Sequence, residues 1–202
     1  MIITFEGGEG VGKSTHSKLL RKHLELKGLP VLSFREPGGS SFSELLRELF
    51  FHEGLDALTE LLMVLASRRE NITKLIEPAL ADGRVVIIDR FVDSTLVYQG
   101  VLGGIGVERT RAIMEATGTW LEPDFTFVLD VEPGRSLARI TPADKFETRE
   151  IGFHQRLRQA FLDLAQEKRH VVVNADRPRD EVSRDITAAA DDFIDSRTSP
   201  AR

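Results

Sequence analysis

The sequence predicts an α/β fold in which a five-stranded parallel sheet is covered by helices on both faces. Short apolar runs recur along the chain, and segments with helical periodicity separate them. Continuous apolar runs rich in β-branched residues are typical of strands buried on both faces, which is the usual state of parallel strands. A glycine-rich motif joins the first run to the first helical segment, so we expect ligands at the carboxyl edge of the sheet.

The predicted elements alternate from one end of the chain to the other. The strands are residues 2–5, 31–34, 85–88, 125–129 and 171–173. The helices are residues 14–27, 41–51, 55–81, 107–117, 134–140, 148–166 and 179–196. We expect one domain over residues 1–202, with a short lid at about residues 140–149, which contain Pro142. We expect residues 197–202 to be a disordered tail.

The glycine-rich motif at residues 7–14 reads Gly-Gly-Glu-Gly-Val-Gly-Lys-Ser, a complete phosphate-binding loop of the form G-x-x-x-x-G-K-[ST]. Its glycines allow tight turns that direct N–H groups toward an anion, and the following helix adds its positive dipole end. Lys13 would reach the outer phosphates, and the Ser14 hydroxyl would bind Mg²⁺. An accidental match in a chain of this length is roughly a one-in-a-hundred event at average composition.

The motif and its strand–helix context therefore predict a P-loop NTPase that binds a nucleoside triphosphate. The predicted ATP-binding residues are Gly7, Gly8, Glu9, Gly10, Val11, Gly12, Lys13, Ser14 and Thr15.

Composition excludes several classes of protein. The formal net charge of −5 argues against nucleic acid or an anionic membrane as the main partner. Without cysteine there is no disulfide framework, thiolate metal site or cysteine nucleophile. The apolar stretch 58–66 is too short to span a membrane, and the first residues predict a strand and not a signal peptide, so we expect a cytoplasmic protein. The histidines lack metal-ligand spacing, and we expect His16, His23 and His170 at the surface.

Polar residues follow the first and third predicted strands. Glu6 could orient a substrate hydroxyl or a metal-bound water, although a structural acid bonded to nearby backbone is the alternative. Asp89 stands where P-loop NTPases place a second carboxylate for Mg²⁺, and Arg90 offers a planar fork that suits a phosphate. An ion pair between these two neighbours is disfavoured because adjacent residues on an extended chain point opposite ways.

Further cations could reach the same edge of the sheet. Arg35 begins a loop whose shape is fixed by Pro37 and two glycines, although an ordinary β–α connection is the simpler interpretation. Arg68 follows an apolar helical stretch, where a snorkelling surface charge is common. Cations in the lid could neutralise charge during phosphoryl transfer, or could form exposed ion pairs with neighbouring acids. These lid cations are Arg139, Lys145 and Arg149.

Taken together, these motifs resemble the thymidylate kinase family over nearly the whole chain. The markers are residues 5–15, the Arg-Glu-Pro-Gly-Gly loop at 35–39, Leu-Ala-Ser-Arg at 65–68, Asp-Arg-Phe-Val-Asp-Ser-Thr-Leu-Val-Tyr-Gln-Gly at 89–100, and Pro-Asp-Phe at 123–125. The stretch 89–100 is the most specific of them, because generic P-loop proteins do not share it.

The resemblance implies a kinase that transfers the γ-phosphoryl group of MgATP to dTMP and forms homodimers through helices. Glu6 would contact the acceptor sugar hydroxyl, Arg68 the thymine edge and Arg90 the acceptor phosphate. Because Glu9 is acidic, the charge-stabilising cation would come from the lid, as in bacterial members. The metal ligands would be Ser14 and Asp89, and further acceptor contacts would be Arg35, Pro37, Val64, Ser94, Thr95, Tyr98 and Gln99.

Two departures from the family pattern keep alternatives open. Val64 stands where the family commonly has a phenylalanine that stacks on thymine, and a neighbour such as Phe42 could compensate. Lys145 replaces the arginine of the lid pattern Asp-Arg-x-Glu and loses its bidentate fork. One alternative is a kinase for another nucleoside monophosphate or a deoxynucleoside. The other is a regulatory P-loop protein that binds nucleotide and signals to a partner.

Overall fold

The computed structural model describes residues 1–51, 54–141 and 144–198. Within these residues, five strands form one sheet in the order β2-β3-β1-β4-β5, and all four neighbouring pairs are parallel. The strands are β1 (Ile2–Glu6), β2 (Val31–Arg35), β3 (Val85–Asp89), β4 (Phe125–Asp130) and β5 (His170–Asn174). The predicted sheet is confirmed, and each strand also includes the polar residue that follows its apolar run.

Helices connect the strands. They are α1 (Lys13–Leu26), α2 (Ser41–Phe50), α3 (Ala57–Asn71), α4 (Glu77–Ala81), α5 (Val92–Thr95), α6 (Val107–Ala116), α7 (Pro133–Leu137), α8 (Ile151–Leu164) and α9 (Arg179–Thr198). A π-helical turn (Ile72–Ile76) joins α3 to α4, and a second one (Leu96–Leu102) continues α5.

Two local expectations differ from the structure. Residues 92–102 form a helix that the sequence analysis did not predict, because their motif residues have no simple helical periodicity. Helix α9 extends through Thr198, so the tail predicted from residue 197 is wrong at its first two positions, and its remaining residues lie outside the described residues. Arg197 forms an ion pair with Asp124 at 3.2 Å. Pro142 of the predicted lid also lies outside the described residues.

Two main apolar clusters lie on opposite faces of the sheet, so helices cover both faces as predicted. On one face, Leu20 of α1 and Ile186 of α9 share a cluster with Phe5 of β1. On the other, Leu61 of α3 and Met114 of α6 are fully buried in a second cluster. The central strand β1 is buried along its whole length. This core fixes the strand ends, because any shift of register would move apolar side chains out of it.

The carboxyl ends of β1, β2 and β3 meet at one edge of the sheet. Asp89 is in register with Phe5 on one side and with Arg35 on the other. The Arg90 N–H donates to the Phe5 carbonyl at 2.9 Å, and the Glu36 N–H donates to the Asp89 carbonyl at 3.0 Å. The polar residues at the carboxyl ends of these three strands therefore lie close together at one edge of the sheet. No helix in the described ranges has the length and apolar character needed to cross a membrane.

Candidate active site

The loop at residues 7–14 connects β1 to α1 in a conformation that only glycine adopts easily. Gly10 has a φ of 69° and Gly12 a φ of 100°, both in the left-handed region. A Cβ atom on Gly10 would lie 2.2 Å from the carbonyl oxygen of Ser136, so a larger residue would displace α7. Gly12 directly precedes α1, and the first N–H groups of that helix face the space where an anion can bind.

Lys13, Ser14 and Asp89 lie together at the mouth of this loop. The Lys13 Nζ donates to the Gly8 carbonyl at 2.5 Å, and burial, with the nearby charge of Arg90, lowers the pKa of Lys13 to about 8. The Ser14 hydroxyl donates a hydrogen bond to the Asp89 carboxylate. The structure therefore brings together the two residues that sequence reasoning proposed as metal ligands.

Glu6 lies beneath the site and is fully buried. Its Oε1 accepts from the Phe91 N–H at 2.8 Å, and its Oε2 accepts from the Ser94 hydroxyl at 2.5 Å. Burial and the neighbouring charge of Asp93 raise the pKa of Glu6 to about 7. Both oxygens anchor the start of α5, and Glu6 is not among the residues that line the cleft, so its contact with an acceptor sugar remains a prediction.

The buried Glu6 should make stability depend on pH. Because its pKa rises from 4.5 to about 7 on folding, its contribution to the free energy of unfolding is full below 4.5 and is lost as pH rises through 7. Between pH 5 and pH 8, we expect wild type to lose about 2 kcal/mol relative to Glu6→Gln. Urea denaturation of the ligand-free proteins measures this, and parallel pH profiles would contradict the assignment.

Arg90 is held by the phosphate-binding loop itself. It has a φ of 68°, which costs a non-glycine residue on the order of 1–3 kcal/mol. Its Nη2 donates to Glu9 Oε2 at 2.7 Å, and the Tyr98 hydroxyl donates to Glu9 Oε1 at 2.7 Å. Burial alone would raise the pKa of Glu9, but the charges of Arg90 and Lys13 outweigh it and lower that pKa to about 2. Glu9 therefore neutralises the arginine that is predicted to bind the acceptor phosphate.

Arg68 is buried in the wall of the site, with 1 % of its surface exposed. Its Nε donates to Glu36 Oε2 at 2.8 Å, its Nη2 donates to Thr95 Oγ1 at 2.9 Å, and its guanidinium lies over the Phe91 ring. Asn71 donates to the other Glu36 oxygen at 3.1 Å. Sequence reasoning placed Arg68 at the site but missed Asn71, which lies one helical turn further along the same face.

These side chains border one cleft of about 650 Å³, a volume typical of ligand sites. Most of the predicted site residues line it: Glu9, Gly10, Val11, Gly12, Lys13, Ser14, Thr15, Arg35, Pro37, Val64, Arg68, Asp89, Arg90, Ser94, Thr95, Tyr98, Gln99 and Arg139. Gly7 and Gly8 line a smaller adjoining pocket instead.

The predicted lid cations occupy three different environments. Arg139 borders the cleft and donates from Nη2 to Asp176 at 2.8 Å. The Lys145 Nζ donates to Glu60 Oε1 at 2.5 Å, and Lys145 is not among the residues that line the cleft. Arg149 is exposed, with its guanidinium 5.8 Å from the centre of the Phe153 ring. Of these three lid cations, Arg139 is therefore the one found among the described residues that line the cleft.

The cleft has aromatic side chains, but Phe42, which the sequence analysis suggested, is not one of them. Phe42 is 46 % exposed and does not line the cleft, so it does not compensate for Val64. Phe50, Phe51 and Phe146 line it instead, and the Phe146 ring lies 5.1 Å from that of Tyr98. Phe146 lies in the predicted lid, and the sequence analysis assigned it no role.

Two expectations about histidines are wrong. His16 is buried with 5 % exposure and lines the cleft, because its position in α1 faces the loop and not solvent. The His170 side chain is 2 % exposed and lies 2.9 Å from Asp93, within a network that also includes Arg169. Sequence reasoning also missed Arg177, which lines the cleft after β5 and could have been found by the strand-end argument applied to Glu6 and Asp89.

Comparisons with known proteins agree with this geometry. A family model described as thymidylate kinase matches residues 5–186. The chain is 42 % identical to a thymidylate kinase of Symbiobacterium thermophilum, over 98 % of this chain and 95 % of that protein. It is 45 % identical to one of a Synechococcus species, over 87 % of each. A crystal structure of thymidylate kinase from Ehrlichia chaffeensis, 34 % identical, superposes with a TM-score of 0.78 over 94 % of this chain and 98 % of that one. The chain belongs to the thymidylate kinase family.

Proposed function

We propose that this protein transfers the γ-phosphoryl group of ATP to dTMP, giving dTDP and ADP. The observation that carries the proposal is that one cleft joins a phosphate-binding loop to a wall built around the buried Arg68. The loop suits a nucleoside triphosphate. The wall offers the Arg68 guanidinium and the Gln99 amide to a second, planar ligand. Family membership supports the same pairing of donor and acceptor.

The protein's part in this reaction is positioning and charge neutralisation. Lys13 lies where it can turn from the Gly8 carbonyl to an outer phosphate of the donor. Arg90 would exchange Glu9 for the acceptor phosphate, so that two anionic ligands can approach each other. Arg139 borders the cleft and would offer a third cation when it leaves Asp176. Together these groups would stabilise charge on the transferring oxygens.

The residues present fit Mg²⁺ as the metal that accompanies ATP. The Ser14 hydroxyl and the Asp89 carboxylate supply adjacent oxygen donors, and these would hold the ion. Within the described ranges no group of three or more His, Cys, Asp or Glu could hold a metal. Mg²⁺ does not need one, because it is usually bound through one or two carboxylates together with phosphates and waters. When bound, the ion would neutralise charge on the donor phosphates.

A coupled assay of ADP release tests the proposed function. With ATP and Mg²⁺, we expect turnover to be fastest with dTMP, measurable with dUMP, and at least about a hundred-fold slower with dCMP, dGMP and thymidine. Chelation of Mg²⁺ should abolish it. Faster turnover with another acceptor would identify a different kinase. Stoichiometric nucleotide binding without acceptor-dependent turnover would instead identify a regulatory protein.

We further propose that the protein is a cytoplasmic homodimer, since its nucleotide substrates are cytoplasmic metabolites. Apolar side chains on α2 and α3 support an interface there, because exposed apolar residues that cluster on adjacent helices often mark one. They are Leu45, Leu49, Leu58 and Leu62, with exposures of 63 %, 59 %, 47 % and 55 %. Sedimentation should give a mass near twice the 22.6 kDa of one chain.

A further inference from the structure

Three side chains connect the predicted lid to the wall of the acceptor site. The Lys145 Nζ donates to Glu60 Oε1 at 2.5 Å, and Glu60 Oε2 accepts from Gln99 Nε2 at 3.1 Å. The side chains of Lys145 and Glu60 are only 9 % and 12 % exposed. Gln99 lines the cleft, whereas Glu60 and Lys145 lie behind it. One carboxylate therefore links the lid cation to a residue that faces the substrate.

The carboxylate fixes the orientation of the Gln99 amide. An ionised carboxylate can only accept hydrogen bonds, so the NH₂ group of Gln99 must be the end that faces Glu60. Nothing in the described parts of the chain donates to the Gln99 carbonyl oxygen, which is left as the opposite end of the amide. Gln99 lies in the π-helical turn Leu96–Leu102, between the cleft residue Tyr98 and Gly100. The site therefore offers a hydrogen-bond acceptor from this position.

A fixed acceptor at this position distinguishes two kinds of pyrimidine. Thymine and uracil carry an N3–H donor, which a carbonyl oxygen can accept. Cytosine has a lone pair on N3, so the same oxygen would face it without a hydrogen bond and leave both groups desolvated. A reversed amide would present its NH₂ group and favour cytosine. The orientation of Gln99 thus determines which base is complementary to the site.

We propose that Glu60 is a positioning residue that selects pyrimidine nucleotides with an N3–H group by fixing the Gln99 amide, and that Lys145 acts through Glu60. The inference rests on the proposed function and names a determinant of its acceptor specificity. It also gives Lys145 a role different from that of a cation on the transferring phosphoryl group.

Lys145 is needed because Glu60 is largely removed from water. The ammonium group lies against the carboxylate and 5.0 Å from the centre of the Phe50 ring. Without the ammonium group, the Glu60 carboxylate would lose the contact that holds it opposite the Gln99 NH₂ group and could turn away from it. The Gln99 amide would then have no single preferred orientation. Lys145 thus keeps the orientation of the Gln99 amide fixed, and its Nζ lies 5.2 Å from the centre of the Phe146 ring, which lines the cleft.

The test is the ratio of kcat/KM for dTMP to that for dCMP, measured with ATP. Glu60→Gln keeps the shape of the side chain but can donate or accept, so Gln99 can reverse. We expect this ratio to fall at least about ten-fold, with the dTMP to dUMP ratio and the KM for ATP within about two-fold of wild type. Glu70→Gln, on the same helix α3 and without a described side-chain partner, is the matched control and should keep the wild-type ratio.

Lys145→Met provides an independent test of the dTMP to dCMP ratio if Glu60→Gln does not fold. We expect the same fall in the ratio, and no further fall in the double variant. A folded Glu60→Gln with an unchanged dTMP to dCMP ratio would overturn the inference. So would a Lys145→Met variant that loses kcat equally with every acceptor, because that pattern indicates a transition-state cation. Failure of the proposed function would appear differently, as a wild-type enzyme that does not turn over dTMP.

Discussion

Replacing Lys13 with alanine should lower kcat with dTMP by about a thousand-fold or more, which corresponds to roughly 4 kcal/mol of transition-state stabilisation. Lys13 is 6 % exposed and lines the cleft within the phosphate-binding loop, and the motif predicts that it reaches the outer phosphates of the donor. Removing it leaves developing negative charge without its nearest cation. The binding of other parts of the nucleotide should suffer less, so kcat should fall more than the KM for ATP rises.

The melting temperature of Lys13→Ala should change in the opposite direction to its activity, or not at all. Burial and the charge of Arg90 already lower the pKa of Lys13 to about 8, so its charged form is disfavoured in the ligand-free protein. We therefore expect Lys13→Ala to melt at the same temperature as wild type or higher, despite its low activity. Lys18→Ala, at an exposed position of the same helix, is the matched control and should retain activity. Near-normal turnover by Lys13→Ala would contradict the assigned role of the loop.

Replacing Arg68 with methionine should reduce both stability and acceptor binding. The substitution leaves Glu36 buried, with 3 % exposure, without its cation. Removing one partner of a buried ion pair typically costs about 3–5 kcal/mol, and for a domain of this size the melting temperature should fall by about 10 °C. The KM for dTMP should also rise, because the guanidinium is the predicted partner of the base edge.

A second substitution separates these two effects. Adding Glu36→Gln to Arg68→Met removes the uncompensated charge, so it should recover much of the melting temperature without restoring the KM for dTMP. Arg69→Met is the matched control, because Arg69 is the exposed neighbour on the same helix. If the double variant bound dTMP normally, the base contact assigned to Arg68 would be wrong.

The sequence was sufficient to predict the sheet and the position of the phosphate-binding loop, because both depend on local patterns. Strands buried on both faces give uninterrupted apolar runs, and the phosphate-binding loop needs its glycines at fixed spacing. The carboxyl ends of such strands meet at one edge, which is why Ser14 and Asp89 could be paired although 75 positions separate them. These inferences require only the direction and order of the strands.

The partners of the charged side chains could not be predicted in the same way. Lys145 pairs with Glu60, and that contact depends on how the segment after α7 returns to α3. Likewise, nothing in a local pattern shows that Glu9 accepts from both Arg90 and Tyr98, or that Phe146 reaches Tyr98. Such contacts join segments brought together by the packing of the domain, where propensity and periodicity carry no information.

The pairing of Arg90 with Glu9 has a consequence for the ligand-free enzyme. An uncompensated arginine beside a phosphate-binding loop would attract any small anion, including inorganic phosphate. Here the guanidinium already has a carboxylate at 2.7 Å, so a bare anion must compete with an internal one of similar charge. A nucleotide can compete better, because its sugar and base contribute contacts that phosphate lacks. We therefore expect the Arg90–Glu9 ion pair to make the enzyme less sensitive to inhibition by abundant small anions.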